Sequence, residues 1–194
     1  MISAFPAIAK REFDEIADRF DMKCIKVNER VVQYQNAEVM LQVTFDNGRS
    51  YELLVEIGLS NGNHLGQQFS LGDILRFQNA CEAPQVTNIM VSNEVDLRKL
   101  VLLLASLTSK YCDRYLSGEE FLFAQLQRFQ NRESAKYILS LKLMNAQSVL
   151  DNSWSRKDYK SIVKVLEPLR SHLPPSSVKK LDYSKKQLGQ AKLN

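Results

Sequence analysis

Histidine and cysteine are scarce in this 194-residue chain, which holds two of the first and three of the second. His64 lies in a polar stretch and His172 near the end of a helical pattern, and neither has a second histidine or a cysteine close by. The ligand spacings of a structural zinc site are therefore missing, and no metal is expected. Cys24, Cys81 and Cys112 are odd in number and form no CxxC, so they read as reduced thiols serving as small apolar residues. No apolar run approaches the twenty or so residues of a membrane helix; the longest spans only Leu100 to Ala105. The N-terminus lacks the basic start and apolar run of a secretion signal, so a cytoplasmic address is expected, with no membrane partner. There is no G-x-S-x-G elbow, no GK[ST] loop and no G-x-G-x-x-G. Gly58, Gly62 and Gly66 recur every fourth residue without a following lysine, as in a loop leaving a sheet. No catalytic set and no cofactor site emerge, and the chain is not expected to be an enzyme.

What is present is an ordinary globular composition, 44% hydrophobic and 25% charged, which excludes disorder for the body of the chain. The net charge of +4 is unevenly spread. From Arg156 onward ten Lys/Arg face three Asp/Glu, giving +7, while the preceding residues carry 16 and 19, giving −3. A basic end of this kind steers acidic partners.

Periodicity divides the chain into an α+β class. Ile8, Phe13, Ile16, Ala17 and Phe20 recur at helical spacing behind Pro6, predicting a helix over 6–20. From Met22 the period becomes two, and CIKV, VVQYQ and a long hairpin predict an antiparallel meander of about four strands. A three-residue loop, Asp46 to Gly48, would pair Phe45 with Arg49, Val43 with Tyr51, Leu41 with Leu53 and Val39 with Val55. Glu52 and Glu56 then share the polar sheet face with Gln42 and Thr44. The polar loop that follows holds Asn61, Asn63 and His64, and Ser70 with Asp73 has the spacing of a helix-capping pair. Beyond about Asn93 only helical patterns remain, five to six in all. One, over 96–116, is apolar nearly all round and reads as a central buried helix. Two more cover EEFLFAQLQRFQ and RESAKYILSLKLMNAQSVLDNSW as separate helices. Residues 1–91 are expected to form the α+β region and 92–194 a helical region packed on it as one compact unit.

In the last third, Trp154 precedes Lys157-Asp158-Tyr159, then Ile162-Val163, then Pro174. This resembles one tetratricopeptide-type helical hairpin over residues 133–175. Lys157 stands where that family has a turn glycine, and Pro168 falls inside the second helix. The resemblance implies a local helix-turn-helix shape of a macromolecule-binding kind.

The whole-chain layout, with the strand YELLVEIGL, a polar loop, the helix opening FSLGDILRF and a helical second half, resembles bacterial toxin-immunity proteins. The resemblance implies a non-catalytic cytosolic protein that binds and neutralises a toxin domain encoded by a neighbouring gene. The basic charge argues against a strongly basic nuclease as that toxin. The alternatives are a scaffold or adaptor whose helical hairpin holds a peptide or protein, and nucleic-acid binding through the basic C-terminal helices. Tyr159 and Tyr183 could stack bases among those lysines, yet Tyr159 is in phase with Ile162 and Val163 and so reads as core. The protein-binding candidates are Glu52, Glu56, Asn61, Asn63 and His64 on the sheet and its loop, and Arg156, Lys157 and Lys160 on the basic helices.

Overall fold

A computed structural model describes residues 4–60 and 67–190. Asn61, Asn63 and His64 lie outside the described residues. The fold is α+β: an N-terminal helix α1 (Phe5–Arg19), five strands, and a helical second half. The strands β1 (Lys23–Val27), β2 (Val31–Gln35), β3 (Val39–Phe45), β4 (Leu53–Leu59) and β5 (Gln68–Ser70) form one antiparallel meander in chain order. The fifth strand is three residues long, too short for alternation to announce it.

Alternation put the right residues on the buried face: Val39, Leu41, Val43, Phe45, Leu53, Val55 and Ile57 are all buried. The register differs from the expected one. Val43 lies opposite Val55, Leu41 opposite Ile57 and Phe45 opposite Leu53, four residues further along β4 than a three-residue loop would give. The cause is the connection. The Asp46 carboxylate accepts from the Ser50 N–H (3.2 Å) and hydroxyl (3.0 Å), and the Tyr51 N–H donates to the Asp46 carbonyl (3.0 Å). This closes a longer loop, with Tyr51 in the left-handed region at φ 55°. An even shift leaves every side chain on its own face, so burial is blind to the error. Tyr51 is the exception, being 45% exposed instead of opposite Val43.

The chain divides into two compact units, Met1–Gln130 and Asn131–Asn194, where a boundary at 91/92 was expected. The reason is burial. Leu97, Val101, Leu104 and Leu107 of α3 (Glu94–Tyr111) share one apolar core with the strands and with Phe5, Phe13 and Ile16 of α1. Leu122, Phe123 and Leu126, at the start of α5 (Glu120–Ser155), belong to that core too. The helix α2 (Leu71–Phe77) opens on the predicted cap: Ser70 Oγ accepts from the Asp73 N–H (3.1 Å) and Asp73 Oδ2 from the Ser70 N–H (3.3 Å). Two expectations fail here. α3 is not buried all round, since Leu102 is 56% and Val95 61% exposed. The two helices expected over 119–154 are one 36-residue helix, α5, because no glycine or proline interrupts it. The predicted break at Ser117-Gly118 does end α4 (Asp113–Leu116), with Gly118 at φ 78°.

The second unit has its own core: Ala146 and Leu150 of α5, Ile162 and Leu166 of α6 (Tyr159–Leu166), and Leu181 of α7 (Pro175–Gln190). Pro168 acts as its chemistry requires. α6 stops at Leu166 and the chain continues as a 3₁₀ turn over Glu167–His172, with the proline at its start.

Candidate protein-binding surface

Of the sheet candidates, the two among the described residues, Glu52 and Glu56, share no cavity. Glu56 lies opposite Gln42, whose amide donates to Glu56 Oε2 at 3.3 Å. Glu52 sits just before the start of β4, in a single bridge with Met90. A shallow cavity of about 150 Å³ beside Glu52, Arg76 and Thr87 does not include Glu56. Burial raises the Glu56 carboxyl above its ordinary range, and the Gln42 hydrogen bond offsets part of that. Because the folded state holds the proton more tightly, this group favours folding most when protonated and progressively less as pH rises through the carboxylate range. Glu56→Gln should therefore raise the melting temperature at pH 7, with the gain vanishing at pH 4. Thermal melts of both proteins at the two pH values check it, and a lower melting point for the variant at pH 7 refutes it.

The cysteines correct an expectation: only Cys112 is buried, its thiol pushed up by that burial, while Cys24 and Cys81 are exposed. Cys81 Sγ lies 3.1 Å from Glu82, a carboxylate that also accepts from Lys110 (2.8 Å) and the Tyr111 hydroxyl (2.8 Å). The Lys110 bond leads in holding Glu82 down at about 2. This cluster was invisible in the sequence because its members are nearly 30 positions apart. Among the described residues no group of three or more His, Cys, Asp or Glu side chains could hold a metal ion.

The basic candidates, in contrast, fall on one constructed feature of the second unit. α5 ends one residue after Trp154, and the turn closes by bonds from the Lys157 N–H to the Trp154 carbonyl (3.2 Å) and from the Asp158 N–H to the Ser153 carbonyl (3.0 Å). Asp158 then caps α6, its Oδ1 accepting from the Ser161 N–H at 3.1 Å. That closure needs a left-handed residue, and Lys157 supplies it at φ 58°. Lys157→Gly should remove the strain and stabilise the unit by about 0.5–1 kcal/mol, less what the glycine adds in unfolded-chain entropy. A rise of a few degrees in its thermal transition is the expected reading, and an unchanged or lower transition would show that the lysine is unstrained there.

The turn delivers Trp154 and Tyr159 to a common point, and α7 adds Tyr183. The ring centroids lie 5.6 Å (Trp154–Tyr183), 5.9 Å (Tyr159–Tyr183) and 6.4 Å (Trp154–Tyr159) apart, at steep interplanar angles. Lys180 Nζ stands 5.3 Å from the Trp154 ring centroid, over its face. Tyr159 is half-buried, as its phase predicted, and Tyr183 is 46% exposed.

The carboxylates here are already engaged. Asp158 caps α6, Asp182 takes both Arg170 nitrogens (2.6 and 3.1 Å), and Glu167 pairs with Lys185 (2.5 Å). Arg156, Lys157, Lys160, Lys164, Lys179 and Lys186 are exposed and form no ion pair among the described residues. Lys179, Tyr183 and Lys186 share one stripe of α7, spaced by four and three residues.

Set against known proteins, the chain matches no family model, no curated protein and no solved structure. Arg156, Lys157 and Lys160 were legible as basic residues; that Tyr183 and Lys180 join Trp154 was not, because α7 lies more than twenty residues further along the chain.

Proposed function

We propose that this chain is a non-catalytic binding protein whose second unit grips an acidic face of a protein partner around Trp154, Tyr159 and Tyr183. The observation that carries it is the excess of positive charge: six exposed cations with no ion pair among the described residues, set about partly exposed aromatics, while the carboxylates of the same segment are already engaged. Tryptophan, tyrosine and arginine are the side chains that dominate binding hot spots, and a cationic rim speeds encounter with an acidic surface. In its most specific form the partner is a bacterial toxin domain encoded beside this chain, which is neutralised by occlusion of its working surface. The chain's basic character favours a toxin with an acidic face over a basic nuclease.

The test is co-expression with the product of the adjacent gene. Survival of the host and a stoichiometric complex are expected. Neither protection nor binding would remove the toxin version. A nucleic acid is the second reading, motivated by the aromatics standing among the lysines. Tight binding of a single-stranded oligonucleotide with a steep salt dependence would put it in place of the protein reading.

A further inference from the structure

A half-open cavity of about 420 Å³ lies in the first unit, where the C-terminal ends of α2 and α3 meet α4 and the start of α5. Its volume is that of a small-ligand pocket. Phe77, Tyr111 and Leu122 give it apolar walls, and Phe77 is braced by Phe129 in an edge-to-face contact at 5.5 Å.

Tyr115, also in the lining, points to a ligand. Its side chain is 1% exposed and its ring stands edge-on to Phe123 at 5.5 Å. No group among the described residues accepts its hydroxyl proton. A buried donor without an acceptor is rare in a folded protein. The hydroxyl end lies on the cavity side. Burial raises it above its ordinary range, and the side chain that offsets part of that is Gln78, itself in the lining. Gln78 is exposed and tied by its amide to the Tyr111 carbonyl (2.9 Å), so it can turn aside for a ligand.

The charges around the cavity say what kind of ligand suits it. Lys110, Arg114 and Asp113 line it, but each is matched: Lys110 by Glu82 (2.8 Å), Arg114 by Glu119 (2.8 Å) and Asp113 by Arg19 (3.7 Å). Three ion pairs leave no net charge to attract an anion or a cation, and a neutral ligand enters at the smallest desolvation cost. Gln125 brings an amide, donor and acceptor side by side, which matches the amide-like edge of a nitrogen heterocycle. We infer that this cavity binds a small neutral nitrogen heterocycle of nucleobase type, its ring against the apolar walls, an acceptor atom on the Tyr115 hydroxyl and its donor–acceptor edge on Gln125. The site stands apart from the aromatic cluster of the second unit and does not depend on the protein-binding reading.

The experiment titrates adenosine, guanosine and uridine into the full chain, read by saturation-transfer NMR of the nucleoside protons. The matching monophosphates and toluene serve as controls. At least one nucleoside should bind with a dissociation constant below about 1 mM, and its monophosphate no more tightly. Tyr115→Phe keeps the ring and its contact with Phe123. It should weaken binding at least tenfold while leaving the melting temperature unchanged or higher, because a buried unpaired donor is gone. Gln125→Leu should weaken binding several-fold. No binding of any of the three nucleosides, or equal binding by Tyr115→Phe, would overturn the inference. So would a monophosphate that binds more tightly and loses that advantage in Arg114→Gln, since the cavity would then read an anion. Toluene binding as tightly as the best nucleoside would overturn it too, because the polar groups would then read nothing.

Discussion

Leu166→Ala is expected to cost about 3 kcal/mol and to unfold much of the second unit under conditions where the parent chain is intact. Leu166 is fully buried, and it is one of five fully buried apolar residues in that unit's core among the described residues. A half-open pocket of about 150 Å³ is already lined by Leu166, Ala146, Leu150 and Leu173, so truncation widens a gap that neighbours have not closed. A unit of this size has a total stability of roughly 3–10 kcal/mol, so the loss removes a third or more of it. The single tryptophan, Trp154, belongs to this unit and reports its unfolding by fluorescence. In urea the tryptophan transition should move down by about 2 M for a slope near 1.5 kcal/mol/M. The exposed neighbour Lys164→Ala should move it hardly at all. A shift worth less than 1 kcal/mol for Leu166→Ala would mean that the apolar cluster does not hold the unit together.

The second large effect is on binding. Reversing Arg156, Lys157 and Lys160 together to glutamate changes the unit's net charge from +8 to +2 and puts three carboxylates at the edge of the aromatic cluster. Affinity for an acidic partner should fall at least a hundredfold at low salt, chiefly through the association rate, and the salt dependence of that rate should flatten. All three side chains are exposed and outside the core, so the thermal transition should stay within a few degrees of the parent. Stopped-flow association at two ionic strengths against the co-expressed partner gives both readings. Unchanged affinity would show that the basic surface only solvates the helices, and the partner would then have to be sought elsewhere on the molecule.

The contrast between hairpin and turn explains what could be read in advance. The segment 154–159 is local: an aromatic before a closing turn, a capping aspartate and the start of a helix lie within six residues, and each acts on its immediate neighbours. The loop at Asp46 is local too, but its choice between three residues and seven rests on one carboxylate finding Ser50, which alternation cannot see. The continuity of α5 was missed because the change from one core to the next, between Phe129 and Ala146, looks in sequence like a boundary between helices. Backbone hydrogen bonding does not depend on which core the side chains serve.

By itself, then, the sequence determined the α+β class, the buried face of the sheet, the Ser70–Asp73 cap, the Pro168 interruption and the basic character of the last third. All of these follow from spacing, local hydrogen-bond chemistry and charge count. Only the tertiary structure decided the strand register, the division at Gln130, the meeting of Trp154, Tyr159 and Tyr183, and which cations are left unpaired. Those depend on groups far apart in the chain being brought within a few ångströms, and on which apolar faces are filled and which stay open to solvent.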